Sequence, residues 1–120
     1  MLYNPQWKET IPDLDEVGTL MMRAAALIRT KGLAKGVIKD SMGGYCLYGA
    51  LGEVTGITEQ GCLYPEYPLV REAGRRMLNL SNAPRMRGGT ITSVLTKWND
   101  APERTAEEVA VALEQAAVKW

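Results

Sequence analysis

The 120-residue sequence contains no histidine. This absence excludes Ser-His-Asp and Cys-His nucleophile systems and every histidine-ligated metal centre. The only two cysteines, Cys46 and Cys62, do not make a usual zinc site without histidine, and in a reducing compartment we expect no disulfide between them. Carboxylates, lysines and tyrosines remain available for catalysis, so an enzyme is still open. We nevertheless predict no catalytic residue, no cofactor and no metal.

Long apolar runs and net charge are also missing. No stretch is apolar over the length that a membrane span requires. The first residues lack the basic region followed by an apolar stretch that marks a signal peptide. Fourteen basic side chains balance fourteen acidic ones, which removes any overall attraction to nucleic acid or membrane. We therefore expect a cytoplasmic protein with no membrane partner.

The spacing of apolar residues predicts an all-α fold, a single compact domain of four to five short helices over 13–120 that follows an extended segment over 1–12. One helix is expected over about 14–31, with Asp13 as its N-cap and Gly32 as its stop. Pro68 suits the first turn of a later helix. Helical spacing is clearest for the following sets: Val17, Leu20, Met21, Ala24, Leu27, Ile28; Leu69, Val70, Ala73, Met77, Leu80; Ile91, Val94, Leu95, Trp98; and Val109, Ala112, Leu113, Ala116, Trp120.

A glycine-containing helix is expected from Tyr45 to Thr55. Gly49 and Gly52 each weaken it by up to about 1 kcal/mol relative to alanine. A helix that keeps such residues lets a neighbour approach closely, and we favour this interpretation over a ligand on the glycine face. A short hairpin near 36–47 is an alternative for the preceding segment.

The stretch "WNDAPERT", residues 98–105, is interpreted as the corner between two helices. Trp98 completes an apolar stripe and should lie in the core, while Asn99 tolerates the left-handed conformation that ends a helix. Pro102 disfavours helix at the residue before it, and Thr105 begins the Ser/Thr-x-x-Glu pattern of a capping box. Asp100 and Arg104 could pair across the corner. The alternative is an exposed acidic group, including Glu103, that binds a cation or acts as acid and base.

Two motifs together resemble an uncharacterised domain family of actinobacteria and their phages. They are "CLYGAL" at 46–51, with a Cys-x-x-Gly-Ala-Leu pattern, and "WNDAPERTAEEV" at 98–109, with a Trp-Asn-Asp-x-Pro-x-Arg-Thr pattern. Residues 17–118 could match throughout. The resemblance implies a small intracellular domain, plausibly phage-encoded, and brings no established activity. The motif residues are Cys46, Gly49, Trp98, Asn99, Asp100, Pro102, Arg104 and Thr105, and we expect their role to be mainly structural.

Basic residues are concentrated between residues 71 and 97, where Glu72 is the only acid. Arginines in such a segment could contact phosphates, which would make the protein a nucleic-acid-binding one. We favour instead a solvent-exposed basic face whose positive charge is balanced by the acidic residues of the last helix. The arginines concerned are Arg71, Arg75, Arg76, Arg85 and Arg87.

Tyrosine supplies most of the aromatic residues, since phenylalanine is absent. Tyrosine has an apolar body and a polar tip, a combination that suits protein interfaces. Tyr64 and Tyr67 lie in a proline-framed segment, and Tyr3 and Trp7 precede the first helix outside any apolar stripe. These four residues are our candidates for a contact with another protein or with a second copy of the chain, as a homodimer.

The function we infer from the sequence is therefore a small protein-interaction module. Nucleic-acid binding through the 71–97 segment is the first alternative. An enzyme based on carboxylates such as Asp100 and Glu103 is the second.

Overall fold

The computed structural model describes residues 14–56, 67–81 and 90–118 of the chain. These residues form five helices and no strand, so the all-α prediction is confirmed. The helices, numbered in chain order, are α1 Glu16–Lys31, α2 Leu47–Thr55, α3 Pro68–Ser81, α4 Ile91–Asp100 and α5 Ala106–Val118. The segment 1–12 and the candidates Tyr3, Trp7, Tyr64, Arg85 and Arg87 lie outside the described residues.

Helix α1 begins and ends at residues with clear capping chemistry. The Asp15 carboxylate accepts a hydrogen bond from the Gly18 N–H at 2.8 Å, so Asp15 is the N-cap and the expectation for Asp13 is wrong. The helix ends at Gly32, whose φ of 100° is open to glycine and strained for other residues. The predicted bounds of 14–31 are confirmed to within two residues.

The centre of the core is the contact between α1 and α5. Both helices present small alanines as well as larger apolar side chains, and the backbones approach closely enough that a Cβ on Gly18 would lie 2.8 Å from the Ala117 carbonyl oxygen. At the rim, Arg29 of α1 forms ion pairs with Glu107 and Glu114 of α5. The buried apolar residues of this pair are Val17, Met21, Ala24, Ala25, Ile28, Val109, Ala110, Leu113, Ala116 and Ala117.

Helices α2, α3 and α4 close the core with the apolar residues that their periodicity indicates. Pro68 is the first residue of α3, as predicted. On this helix Val70, Ala73 and Met77 are buried. Leu47, Ala50 and Leu51 of α2 and Val94 and Leu95 of α4 are buried as well.

The segment between α1 and α2 is a loop, and the short hairpin considered for 36–47 is reduced there to one antiparallel bridge. Its pairing consists of two isolated bridges that share Tyr45, one parallel to Leu33 and one antiparallel to Lys39. Gly36 and Gly43 have φ values of 76° and 93°, which turn the chain out of extended geometry on both sides of Lys39. The antiparallel bridge closes a tight turn, in which the Asp40 N–H donates to the Gly44 carbonyl and the Cys46 N–H donates to the Ile38 carbonyl.

No helix in the described part of the chain is long and apolar enough to cross a membrane.

Candidate binding cleft

Asn99 connects the two sequence motifs. Its side-chain oxygen accepts a hydrogen bond from the Leu47 N–H at 2.9 Å, and its side-chain nitrogen donates to the Ala34 carbonyl at 3.0 Å. The residue is only 2% exposed and lies inside α4. The helix continues through Asp100 and its C-cap is Ala101, with a φ of −55°, so the expectation that Asn99 ends it in a left-handed conformation is wrong. A buried amide is stable here because its polar atoms have partners.

Asp100 extends this connection to the α1–α2 loop. One oxygen of its carboxylate, Oδ1, accepts hydrogen bonds from the Gly36 N–H at 3.0 Å and from the Asn99 side chain at 2.9 Å. From the same loop, the Lys35 ammonium donates to the carbonyls of Ala101 and Pro102. We call Asn99, Asp100 and Lys35 the clasp, because together they hold the loop against the end of α4.

The rest of the corner is organised around Arg104. Its guanidinium stacks on the Trp98 ring at 4.4 Å from the centroid and donates to the Trp98 carbonyl at 2.9 Å. It also lies 3.7 Å from the Glu108 carboxylate. Arg104 therefore pairs with Glu108, where the sequence suggested Asp100, and Trp98 is half-buried beneath it rather than fully in the core.

Thr105 forms the predicted capping box at the start of α5. Its hydroxyl accepts from the Glu108 N–H at 3.1 Å, and its own N–H donates to the Glu108 carboxylate at 2.9 Å. Pro102 is exposed in the turn before it. The interpretation of "WNDAPERT" as a corner is thus supported for Pro102, Arg104 and Thr105, while Asn99 and Asp100 do more than end a helix.

The other motif shapes the start of α2. The Cys46 thiol is the N-cap acceptor for the Gly49 N–H at 3.2 Å, and the Cys46 N–H donates to the Ile38 carbonyl at 3.0 Å. A Cβ on Gly49 would lie 2.2 Å from that same carbonyl oxygen. The predicted close packing at Gly49 is confirmed, and the neighbour is the backbone of the α1–α2 loop.

The α1–α2 loop, the start of α2 and one face of α4 enclose a cleft of about 270 Å³ that is open on one side. Val37 stands at the rim with half of its surface exposed. The lining residues are Gly36, Val37, Ile38, Cys46, Leu47, Tyr48, Thr92, Leu95, Thr96, Asn99 and Asp100.

The chemistry of the lining groups favours binding over reaction. Burial raises the pKa of the Cys46 thiol, which keeps it protonated and a poor nucleophile. Burial also raises the pKa of Tyr48. Of the carboxylates considered for catalysis, Asp100 lines the cleft, while Glu103 is exposed in the turn. Within the described ranges, no group of three histidine, cysteine or acidic side chains is placed to hold a metal ion.

The basic segment has acidic partners inside the fold. Arg76 is 3% exposed and forms ion pairs with Asp15 at 2.6 Å and with Glu72 at 2.9 Å. Arg75 pairs with Glu72 at 2.6 Å. Arg71 is exposed. Glu107 and Glu114 of α5 pair with Arg29 of α1, and Glu108 pairs with Arg104. Among the described residues, the ion pairs of Arg75 and Arg76 are therefore with Asp15 and Glu72, where the sequence suggested the last helix.

The structure describes one of the four aromatic interaction candidates. Tyr67 is half-buried and packs against the core just before α3. Tyr67 does not line the cleft. The contact predicted for these four aromatic residues stays a prediction, because Tyr3, Trp7 and Tyr64 lie outside the described residues.

Sequence reasoning missed the inward role of Asn99 and the cleft beside it. One signal was present, because Asn99 follows Ile91 and Leu95 at four-residue intervals and so continues their line along the helix. An asparagine on an apolar line indicates a buried polar contact when a partner is available.

Comparison of the sequence with models of protein families assigns the chain to one family. A family model described as "Family of unknown function (DUF6197)" matches residues 12–119. Neither the curated proteins nor the solved structures gave a match. Since the matched region covers nearly the whole sequence, the chain belongs to the family of unknown function DUF6197.

Proposed function

We propose that this protein is a small intracellular interaction module that binds a segment of another protein in the cleft beside the clasp. The observation that supports the proposal most strongly is the cleft itself, which is open, largely apolar and framed by backbone and side-chain hydrogen bonds. Preformed concave sites with few polar groups are the usual binding sites of small domains. The setting we propose, an actinobacterial or phage protein acting inside the cell, follows from the motif resemblance.

The state of the polar groups favours an interaction role over an enzymatic one. The Cys46 thiol accepts the N-cap hydrogen bond of α2, and Asn99 is committed to two backbone groups and to Asp100. A nucleophile needs a partner base or a lowered pKa, whereas the pKa of Cys46 is raised. A carboxylate pair at catalytic separation would be needed for the enzymatic alternative, and Asp100 is the single carboxylate among the described lining residues.

The cleft also has the rigidity that a recognition site needs. The Ile38 carbonyl is fixed by Cys46, the Gly36 N–H by Asp100 and the Ala34 carbonyl by Asn99. A wall held at several points loses little freedom when a partner binds, and this lowers the entropic cost of association.

A displayed peptide library selected against the purified protein tests the proposal. Thr96 lies exposed on the α4 wall of the cleft, so Thr96→Trp should fill the space without disturbing the core. The matched control is Gln115→Trp, at an exposed position of α5. We expect peptides that bind the wild type and the Gln115 variant and lose binding to the Thr96 variant.

Equal binding to all three proteins would contradict the cleft as the site. Failure to select any peptide, with circular dichroism showing all three proteins folded, would contradict the interaction role itself.

A further inference from the structure

We infer that the partner inserts a lysine side chain into the cleft and that Asp100 binds its ammonium group. This inference rests on the proposed function and specifies the chemistry of the partner. Three features of the cleft support it: the charge of its lining, the second oxygen of the Asp100 carboxylate, and the size and polarity of the space in front of that carboxylate.

The charge of the lining is acidic. Asp100 is the one charged side chain among the described lining residues. The nearby Lys35 ammonium is bound by the carbonyls of Ala101 and Pro102 and, among the described residues, forms no ion pair with Asp100. Two first-turn N–H groups of α2 that could otherwise attract an anion are already used: Leu47 donates to Asn99, and Gly49 donates to Cys46. A carboxylate beside a helix start with these two donors occupied favours a cation over an anion.

Asp100 is oriented by the fold and still has an oxygen to offer. Its Oδ1 atom accepts from the Gly36 N–H and from Asn99, which fixes the plane of the carboxylate. A carboxylate has about four acceptor positions on two oxygens. Its Oδ2 atom receives no hydrogen bond from the residues that the structure describes. The fold thus uses one oxygen to position the group and leaves the other for a ligand.

This division of the carboxylate favours lysine over arginine. A guanidinium binds a carboxylate best through two parallel hydrogen bonds, one to each oxygen. Since Oδ1 is occupied twice, that arrangement is hindered here. A lysine ammonium is a compact charge with three donors, and it can use a single carboxylate oxygen together with hydroxyls. Thr96 brings such a hydroxyl to the same cleft, while the Thr92 hydroxyl is already hydrogen-bonded to Tyr48.

The remaining walls fit the stem of the side chain. Ile38, Leu47 and Leu95 give apolar surface behind the polar end, and Val37 extends it at the rim. Lysine buries its methylene groups along such surface and keeps the charged end at a polar group. A volume of about 270 Å³ is small for a drug-sized ligand and suits one long side chain.

The test compares two blocked amino acids by NMR titration of the ¹⁵N-labelled full chain at low ionic strength. Nα-acetyl-lysine methylamide carries the ammonium, and Nα-acetyl-norleucine methylamide has the same stem without it. We expect the lysine compound to shift the amides of Gly36, Val37 and Thr96. Its affinity should exceed that of the norleucine compound about fivefold, the scale of one partly exposed ion pair.

Asp100→Asn removes the charge and keeps an oxygen that can accept from Gly36, so the loop should stay in place. We expect this variant to bind both compounds equally weakly. Asp40→Asn is the control, because Asp40 lies in the same loop and its carboxylate caps the local turn at Met42 and Gly44 outside the cleft lining. The Asp40 variant should discriminate between the compounds as the wild type does.

The outcomes separate this inference from the proposed function. Equal binding of the two compounds to the wild type, or unchanged discrimination in Asp100→Asn, overturns the lysine assignment. The interaction role still stands in that case if library peptides are lost on Thr96→Trp. No shift at the cleft with either compound also overturns the assignment, and if no library peptide depends on the cleft the proposed function is overturned with it.

Discussion

The side-chain oxygen of Asn99 accepts a hydrogen bond from the Leu47 N–H at 2.9 Å, across 52 residues of sequence. The same side chain donates to the Ala34 carbonyl. One buried amide thus joins the end of α4, the start of α2 and the loop after α1. These three elements are also the walls of the cleft, so the residue that stabilises the corner determines the shape of the candidate binding site.

The contact between Gly49 and the loop should not tolerate an added methyl group. In Gly49→Ala the Cβ would meet the Ile38 backbone carbonyl at 2.2 Å, and a backbone atom held by Cys46 cannot move aside cheaply. We expect a net loss of about 1–3 kcal/mol in the free energy of unfolding, despite the better helix propensity of alanine. Urea denaturation measures it.

Gly74→Ala is the matched comparison for Gly49. Its Cβ would meet the Tyr48 hydroxyl at 2.8 Å, which is the far end of a side chain and can shift. We expect the Gly74 variant to lose less stability than the Gly49 variant. The reverse order would mean that the loop does not lie against α2 as described.

The capping box at α5 predicts a difference between two substitutions of one residue. Thr105→Ala removes the hydroxyl that accepts from the Glu108 N–H and should destabilise the protein by about 0.5–2 kcal/mol. Thr105→Ser keeps the hydroxyl and should be nearly silent. If thermal melts show the two variants to be equally destabilised, the hydroxyl does not act as a cap.

The ion pairs of Arg76 predict a loss of stability in acid. A hydrogen bond from Arg76, helped by the Gly18 N–H, lowers the pKa of Asp15 from 3.8 to about 2. Hydrogen bonds from Arg75 and Arg76 lower the pKa of Glu72 from 4.5 to about 2. Because these pKa values are lower in the folded state, the unfolded state takes up more protons. The stabilisation is present above about pH 5 and is lost as the pH falls toward 2.

Asp15→Asn tests this acid sensitivity without removing the helix cap, since asparagine caps as well as aspartate does. We expect urea midpoints of this variant to fall less steeply between pH 5 and about 2 than those of the wild type. Glu16→Gln, at an exposed neighbouring position, controls for the loss of one negative charge. An equal slope in Asp15→Asn and the wild type would contradict a role for the Asp15–Arg76 pair.

The homodimer remains a prediction from the sequence, because the N-terminal segment with Tyr3 and Trp7 lies outside the described residues. Apolar aromatics that the helices do not cover are commonly buried between two copies of a chain. We expect light scattering at micromolar concentration to give twice the chain mass and deletion of residues 1–8 to shift it toward one. A monomer at high concentration would contradict this prediction.

Local patterns in the sequence predicted much of the fold. The apolar stripes located the helices. Gly32 marked the end of α1, Thr105 marked the beginning of α5, and Gly49 indicated a closely packed neighbour. Each of these features depends on residues a few positions apart, and such signals can be read from one sequence.

The cleft could not be predicted in the same way, because its contacts are distant in sequence. Nothing near Asn99 shows that its partners are Ala34 and Leu47, and local chemistry favoured a helix-ending role for an asparagine before an Asp-Ala-Pro stretch. Arg76 is a similar case. Its charge suggested a position on a solvated face, with a phosphate contact as the alternative, whereas the fold buries it against Asp15, 61 residues earlier.

The central claim is that the hydrogen bond from the Leu47 N–H to Asn99 holds the start of α2 in place and so forms the cleft. Hydrogen exchange at the Leu47 amide tests this claim most directly. In the wild type we expect Leu47 to be protected nearly as well as Leu113 in the middle of α5. In Asn99→Ala, Leu47 should lose at least about tenfold more protection than Leu113, because its N–H has no remaining partner while the core helix is intact. Rapid exchange of the Leu47 amide in the wild type, or equal losses of protection at Leu47 and Leu113 in the variant, would contradict the hydrogen bond between Leu47 and Asn99.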